Sequence, residues 1–395
     1  MSRNDLLERL ARASAGRAVA GLRRQLQCVD FGPAMRVTRD GRELVVFCSN
    51  DYLGMARDRR LIAALRKAAA DAGVGSGSAH LVAGHHREHA ALEEAVAEWT
   101  GRERALLFST GMMANAGVLQ ALLGRSDLCV QDRLNHASLI DGAHLSGACL
   151  RRYPHADVDG AERHLRSAPD RAAVLATDGV FSMDGDVAPL RALAHLARRE
   201  GATLMVDDAH GFGVLGPDGA GSVAAAGLGQ EDVPILMVTL GKALGCFGAC
   251  VAGPAVLIEG LIQFARSYIY TSAMPPALAA AALVAVGLAR RADDRRQRLA
   301  RNIRRLRAGA AQLGLPMRAS ETAIQPLHAG SPERACRMAG TLEQAGFLVT
   351  AIRPPTVPRG QSRLRITLSA AHTSEEIDRL LDALAHVVAS GPSYH

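Results

Sequence analysis

Hydrophobic positions along the 395-residue chain follow two periods, and the switches between them mark out its elements. Near the start, Leu6, Leu7 and Leu10, then Val19, Leu22 and Leu26, recur at helical spacing and predict an amphipathic helix over residues 1 to about 30. "RELVVFCSNDYLG" reads as a strand entering a loop, "AALEEAVAEWTG" as a helix stopped by Gly101, and "RALLFSTG" as a strand feeding a glycine turn. From 125 to 255 short apolar runs ("AAVLATDG", "TLMVDDAHG", "PILMVTLGK") alternate with helical stretches such as "LRALAHLARREG". Continuous apolar strands separated by helices predict an α/β fold with a mostly parallel sheet covered on both faces. After "TSAMPP" come a long apolar helix and an Arg-rich stretch, then a smaller α+β segment. There "SRLRITLSAAH" sets Leu364, Ile366 and Leu368 on one face and Arg363, Arg365 and Thr367 on the other. Thr373 with Glu376 has the pattern of a capping box for the last helix. The expected organisation is an N-terminal helix and arm over 1–50, a large domain over 51–285 and a small C-terminal domain over 286–395.

Composition narrows this little. A net charge of +7 and a pI near 9.3 raise the question of nucleic acid. The arginines are scattered in pairs, however, and aromatics are only 4%, too few for base-stacking platforms. A basic surface with attraction for small anions is the reading. Seven cysteines without a C-x-x-C pair argue against a disulfide framework or a zinc ribbon. The N-terminal segment has acids and arginines where a secretory core should be, and the longest apolar run (277–289) is too short to span a bilayer. A cytoplasmic location is expected.

Three motifs invite chemistry and fall short. "GFGVLG" (211–216) satisfies G-x-G-x-x-G, but Pro217, Asp218 and Gly219 follow, so no helix N-terminus is offered to a pyrophosphate. "LGKAL" lacks the first glycine and the Ser/Thr of a phosphate loop, having Leu236 and Ala243 there. "GHHREH" places His85, His89 and Glu93 at i, i+4 spacing, but without the H-E-x-x-H order of zinc hydrolases. Polar histidines at a helix start are the preferred reading, and no metal is assigned.

"VTLGKALG" (238–245) is different. Lys242 follows an apolar strand, so it emerges from the interior into whatever lies beyond the sheet. Desolvation disfavours an ammonium, and a neutral amine forms a Schiff base with an aldehyde. Asp178, Asp207, Asp208, His210 and Thr239 also fall at or just after strand ends, where open α/β sheets bind ligands. Asp207 lies one βαβ-like repeat before Lys242. A carboxylate there suits a pyridine nitrogen, His210 the ring's phenolic oxygen, and Thr239 with the N–H groups of Gly111 and Met112 in "STGMMAN" a phosphate.

With these stretches, and with "FCSNDYLG", "LNHASLIDG", "TDGVFSMDGD", "YTSAMPP" and "AIRPPTVPRGQSRLRITLSAAH", the chain resembles the α-oxoamine synthases, of the fold-type I pyridoxal-phosphate enzymes, over residues 47–372. The resemblance implies a large parallel-sheet domain, a smaller C-terminal domain, pyridoxal 5'-phosphate (PLP) as cofactor and a homodimer. It implies that Lys242 is the Schiff-base lysine, Asp207 the pyridine-nitrogen partner and His136 the residue stacking on the ring. Ser182 and His210 are implied at the ring oxygen, and Gly111, Met112 and Thr239 at the phosphate. Thr271 and Ser272 resemble the segment reaching a neighbour's phosphate; Arg365 resembles the carboxylate clamp, and Arg23, Asn50 and Thr356 substrate contacts. The implied reaction is decarboxylative condensation of L-alanine with a pimeloyl thioester, on coenzyme A or acyl carrier protein, in biotin synthesis. The alternatives are a glycine-using member, such as 2-amino-3-oxobutyrate ligase or 5-aminolevulinate synthase, and a non-catalytic subunit on the same fold. Met112 where an aromatic is common, Cys246-Phe247 where small residues are frequent, and the "HHR" at 85–87 depart from the family pattern.

Overall fold

The computed structural model describes residues 5–389, so the outermost residues of the expected N-terminal arm and C-terminal domain lie outside the described residues. By packing, the chain divides into one unit of residues 50–182 and 186–298 and another of residues up to 49, 183–185 and from 299 onward.

The first unit is built on a seven-stranded sheet: β1 (Arg104–Phe108), β2 (Leu128–Asp132), β3 (Cys149–Tyr153), β4 (Ala173–Asp178), β5 (Thr203–Asp207), β6 (Ile235–Thr239) and β7 (Ala249–Gly253). The strands lie in the order β1-β7-β6-β5-β4-β2-β3, and β7 alone runs antiparallel to its neighbours. This is the expected mostly parallel sheet. Its central strands are apolar on both faces because helices cover both; Val118, Leu139, Val174, Met205 and Ile235 belong to one buried cluster. Strand order reverses between β2 and β4, since β3 adds on one side of β2 while β4, β5 and β6 add on the other. A crevice beyond the carboxyl ends at such a reversal is where open α/β sheets place ligands.

The second unit has a three-stranded antiparallel sheet with Ser362–Thr367 between Ile324–Gly330 and Thr350–Ile352. Strands Asp30–Phe31, Arg36–Arg39 and Arg42–Val46 form another sheet, joined in parallel by Phe347–Leu348. That pairing places the N-terminal arm with the C-terminal segment, so 1–50 is not the separate element expected. The expected boundary at 285 also moves, to 298: the helix Pro276–Arg290 packs against Arg59–Ala72 and Arg87–Thr100 and belongs to the first unit.

The first helix is shorter than its apolar spacing predicts, Leu6–Val19 with no buried residue. Gly21 in left-handed conformation lets Leu22 N bond Arg17 O at 2.8 Å and Gly21 N bond Ala18 O at 3.1 Å. Leu22 and Leu26 lie beyond this stop. The capping box at the last helix is present as read, with Thr373 N on Glu376 Oε2 at 3.0 Å and Glu376 N on Thr373 Oγ1 at 3.2 Å. "GFGVLG" meets no long helix; its turn wraps Asp208, whose carboxylate accepts from Ser222 N (2.7 Å) and Ser222 Oγ (2.6 Å).

Candidate active site

Beyond the strand ends of the large sheet lies a cavity of about 190 Å³. Gly111, Met112, His136, Ser182, Asp207, His210, Thr239 and Lys242, eight of the residues singled out from sequence, line it together. Thr271 and Ser272 are not in its wall; Ser272 pairs with Ala79 in an isolated bridge. Arg23, Thr356 and Arg365 belong to the other unit, in which Arg365 is a buried position of the central strand of the antiparallel sheet.

Lys242 is placed by a tight return of the chain. β6 ends at Thr239, Leu240 N bonds Gly248 O, Cys246 N bonds Leu240 O, and Gly245 N bonds Lys242 O, each at 2.9 Å. Gly245 is in left-handed conformation, and a Cβ there would stand 2.2 Å from Ala56 N, so only glycine closes the turn. Lys242 Nζ lies 2.8 Å from His210 Nε2, His210 Nδ1 lies 2.6 Å from the Tyr52 hydroxyl, and that hydroxyl donates to Asn50 Oδ1 at 3.2 Å. Because Asn50 Oδ1 can only accept, Tyr52 donates there and receives the Nδ1 proton, leaving the Nε2 lone pair of His210 facing the lysine. The Tyr52 loop is held in turn by Asp51, which accepts from Met55 N (2.7 Å), and by Arg295 on Leu53 O and Gly54 O (3.0 Å each).

The acids line the same cavity. Asp178 and Asp207 are register partners at the ends of β4 and β5, and both are buried. Burial, with the charge of Asp207 adding to it, raises the pKa of Asp178 well above the carboxylate range. Asp207 accepts from Asn115 Nδ2 at 2.7 Å and from Ala209 N at 3.1 Å. Asn115 Nδ2 also donates to Ser138 Oγ at 2.8 Å, and Ser138 Oγ lies 2.8 Å from His136 Nδ1. Since Ser138 N also donates to His136 Nδ1 (3.3 Å), that nitrogen is the acceptor and Nε2 carries the proton. Asp178 holds His136 N at 3.1 Å.

At one end the helix Gly111–Leu122 begins, capped by Thr110 Oγ1 on Met113 N at 3.2 Å. The N–H groups of Gly111 and Met112 precede the first intrahelical bond and so remain available to an anion. Thr239 Oγ1 bonds Gly248 O (3.1 Å) and accepts from Gly241 N (3.3 Å).

Sequence reading missed Asn115, Ser138, Tyr52 and His155. His155 lies between Asp132 Oδ1 (3.1 Å) and Asp186 Oδ2 (2.7 Å). Two carboxylates can only accept, so both ring nitrogens carry protons. This imidazolium ties the end of β2, just before His136, to the loop that carries Ser182. Burial alone would lower its pKa, but the two carboxylates outweigh that and raise it to about 10. Tyr52, Asn115 and Ser138 sit inside "FCSNDYLG", "STGMMAN" and "NHAS", where only their neighbours drew notice; nothing local marks His155.

A mostly parallel sheet whose strand ends bring an amine and a pair of buried acids into one cavity defines the class, and the family model agrees: the chain belongs to the aminotransferase class I and II family, matched over residues 42–384. Within it the chain groups with proteins named 8-amino-7-oxononanoate synthase. That of Stenotrophomonas maltophilia (strain R551-3) is 57% identical over 387 residues, covering 98% of this chain and 95% of the other. That of Xylella fastidiosa (strain M12) is 55% identical over 386 residues, covering 98% and 96%. Among solved structures, a lysine-to-alanine variant of serine palmitoyltransferase from S. paucimobilis with a bound PLP–myriocin aldimine superposes with a TM-score of 0.93 at 28% identity, covering 98% of this chain and 99% of that one.

Proposed function

We propose that this chain condenses L-alanine with a pimeloyl thioester, releasing carbon dioxide and the carrier thiol, to form 8-amino-7-oxononanoate for biotin synthesis. The observation that carries the reading is the shared cavity, lined by Lys242, Asp207 and the open helix start at Gly111 and Met112.

The donor set fits PLP. Two buried carboxylates side by side favour a cation between them and the cavity, as a protonated pyridine nitrogen would be, and the unsatisfied N–H groups of Gly111 and Met112 suit a phosphate. When bound, PLP supplies an electron sink for the pair released at the α-carbon of the amino acid. Asp207, fixed by Asn115, would hold the ring nitrogen protonated, with Thr239 at the phosphate and Ser182 and His210 at the ring oxygen. Lys242 Nζ takes the α-proton of alanine and later returns one to the product carbon; the lone pair of His210 Nε2 keeps the amine in place. His136 would cover the ring face, with its Nε2–H placed to donate to the oxyanion that forms when the α-carbon attacks the thioester carbonyl. The resemblance gives the alanine carboxylate to Arg365, substrate contacts to Arg23, Asn50 and Thr356, and a neighbour's phosphate to Thr271 and Ser272 in a homodimer. No helix of the described residues is long and apolar enough to cross a membrane, and a cytoplasmic location is proposed.

The test is to incubate the purified protein with PLP, L-alanine or glycine, and pimeloyl-CoA or pimeloyl-acyl carrier protein, reading thiol release and product mass. Alanine is expected to give 8-amino-7-oxononanoate with at least one carrier. Faster turnover with glycine overturns the substrate assignment.

A further inference from the structure

The histidines set aside in "GHHREH" converge more closely than their spacing indicates, because a third joins them. His80 opens a single π-helical turn, His80–Gly84, and His89 lies in the first turn of the helix Arg87–Thr100. One nitrogen of each of His80, His85 and His89 lies within 4.8 Å of the others. His80 and His89 are buried and His85 is exposed, which leaves an entry path. We propose that these three imidazoles form a binding site for a divalent transition-metal ion of the zinc type.

The near nitrogens are already close to ligand spacing. His80 Nδ1 and His85 Nδ1 face each other at 3.0 Å. A tetrahedral ion with bonds of about 2.0–2.1 Å sets its nitrogens roughly 3.3 Å apart, so this pair has little to move. The far nitrogens are equally telling. His89 Nε2 lies 2.7 Å from the carbonyl oxygen of Met274, which can only accept, so the proton sits on Nε2 and Nδ1 keeps its lone pair. His85 Nε2 lies 3.8 Å from Glu93 Oε2, beyond hydrogen-bond distance. The carbonyl behind the His89 ring is an outer partner of the kind that orients metal-binding histidines.

Without metal the cluster satisfies itself in another way. His89 Nδ1 accepts from His86 N at 2.8 Å, and His80 and His85 share one proton between their Nδ1 atoms. On binding, the ion takes the place of the His86 N–H at His89, and the shared proton moves to a far ring nitrogen, so no net proton is released from the neutral rings. The ion would fasten the segment from 78 to 89 onto the one from 271 to 274, where Ala273 N already donates to Ser78 O at 2.9 Å and Ala79 pairs with Ser272. None of the three histidines lines the cavity around Lys242, so the site stands or falls independently of the proposed reaction.

The test uses the full-length PLP-saturated protein, stripped with a chelator and titrated with Co²⁺ and then Zn²⁺ in equilibrium dialysis and difference spectroscopy. One Co²⁺ per chain is expected, with the visible bands of a four-coordinate ion, bleached by Zn²⁺. His85→Ala and His80→Asn should abolish these bands. His86→Asn keeps a side-chain cap and should bind as wild type does. Circular dichroism checks that each variant is folded, and Zn²⁺ should raise the Tm of wild type but not of His85→Ala. Uptake well below one ion per chain, or wild-type affinity in folded His85→Ala, overturns the proposal.

Discussion

Asp178 and Asp207 end neighbouring strands as register partners, and both carboxylates are buried in the wall of one cavity. Two acids so placed cannot both be comfortable as anions without a cation nearby, and the upward shift of Asp178 is the consequence. Asp207→Asn keeps the volume and an oxygen for Asn115 but removes the charge. Asp178 is then expected to titrate at lower pH, closer to an ordinary carboxylate, by carboxyl-carbon NMR. Turnover is expected to fall by about 100-fold or more, with little change in fold.

Lys242→Ala removes the amine at the end of the His210–Tyr52–Asn50 chain. Borohydride reduction of PLP-treated protein should fix one cofactor mass on wild type, mapped to the peptide containing Lys242, and none on the variant. A label found on another lysine would disprove the role given to Lys242.

Tyr52→Phe deletes the hydroxyl 2.6 Å from His210 Nδ1 and frees that nitrogen to change tautomer. The loss of one buried hydrogen bond to a group acting on the lysine is worth about 1–2 kcal/mol, or roughly tenfold in kcat. The pH profile of kcat should shift while KM for alanine changes little.

His155 carries its charge because Asp132 and Asp186 hold both ring nitrogens. Its folded pKa is raised from 6.5 to about 10, so the stability it contributes is present in full below pH 6.5 and is lost as pH rises through about 10. His155→Gln should lower stability by about 2–3 kcal/mol near pH 6. The gap from wild type should close toward pH 10, as read by urea unfolding at both pH values.

Gly245→Ala puts a methyl group 2.2 Å from Ala56 N at a left-handed position. A cost of about 1–3 kcal/mol in stability is expected. A larger proportional loss of kcat should accompany it, since the turn that shifts is the one presenting Lys242.

What the sequence determined alone is what depends on neighbours along the chain. Continuous apolar runs such as "ILMVT", alternating with helical stretches, read as strands buried on both faces, and the polar residues at their ends, Asp207 and Lys242 among them, then gather at one edge of the sheet. The Thr373–Glu376 cap was legible for the same reason, being closed within a single turn. The extent of the first helix was misread because exposed leucines keep their period past the point where Gly21 turns the backbone.

Only the tertiary structure decided which distant residues complete these local beginnings. Tyr52 and His210 are 158 residues apart, Asn115 and Asp207 are 92, and no periodicity links either pair. The N-terminal strands join a segment near residue 347 because a sheet edge was open there, and His80 meets His85 and His89 because a π-helical turn doubles the chain back. Such contacts are set by strand order and by where connections cross, and these depend on how the whole chain packs rather than on any one stretch of it.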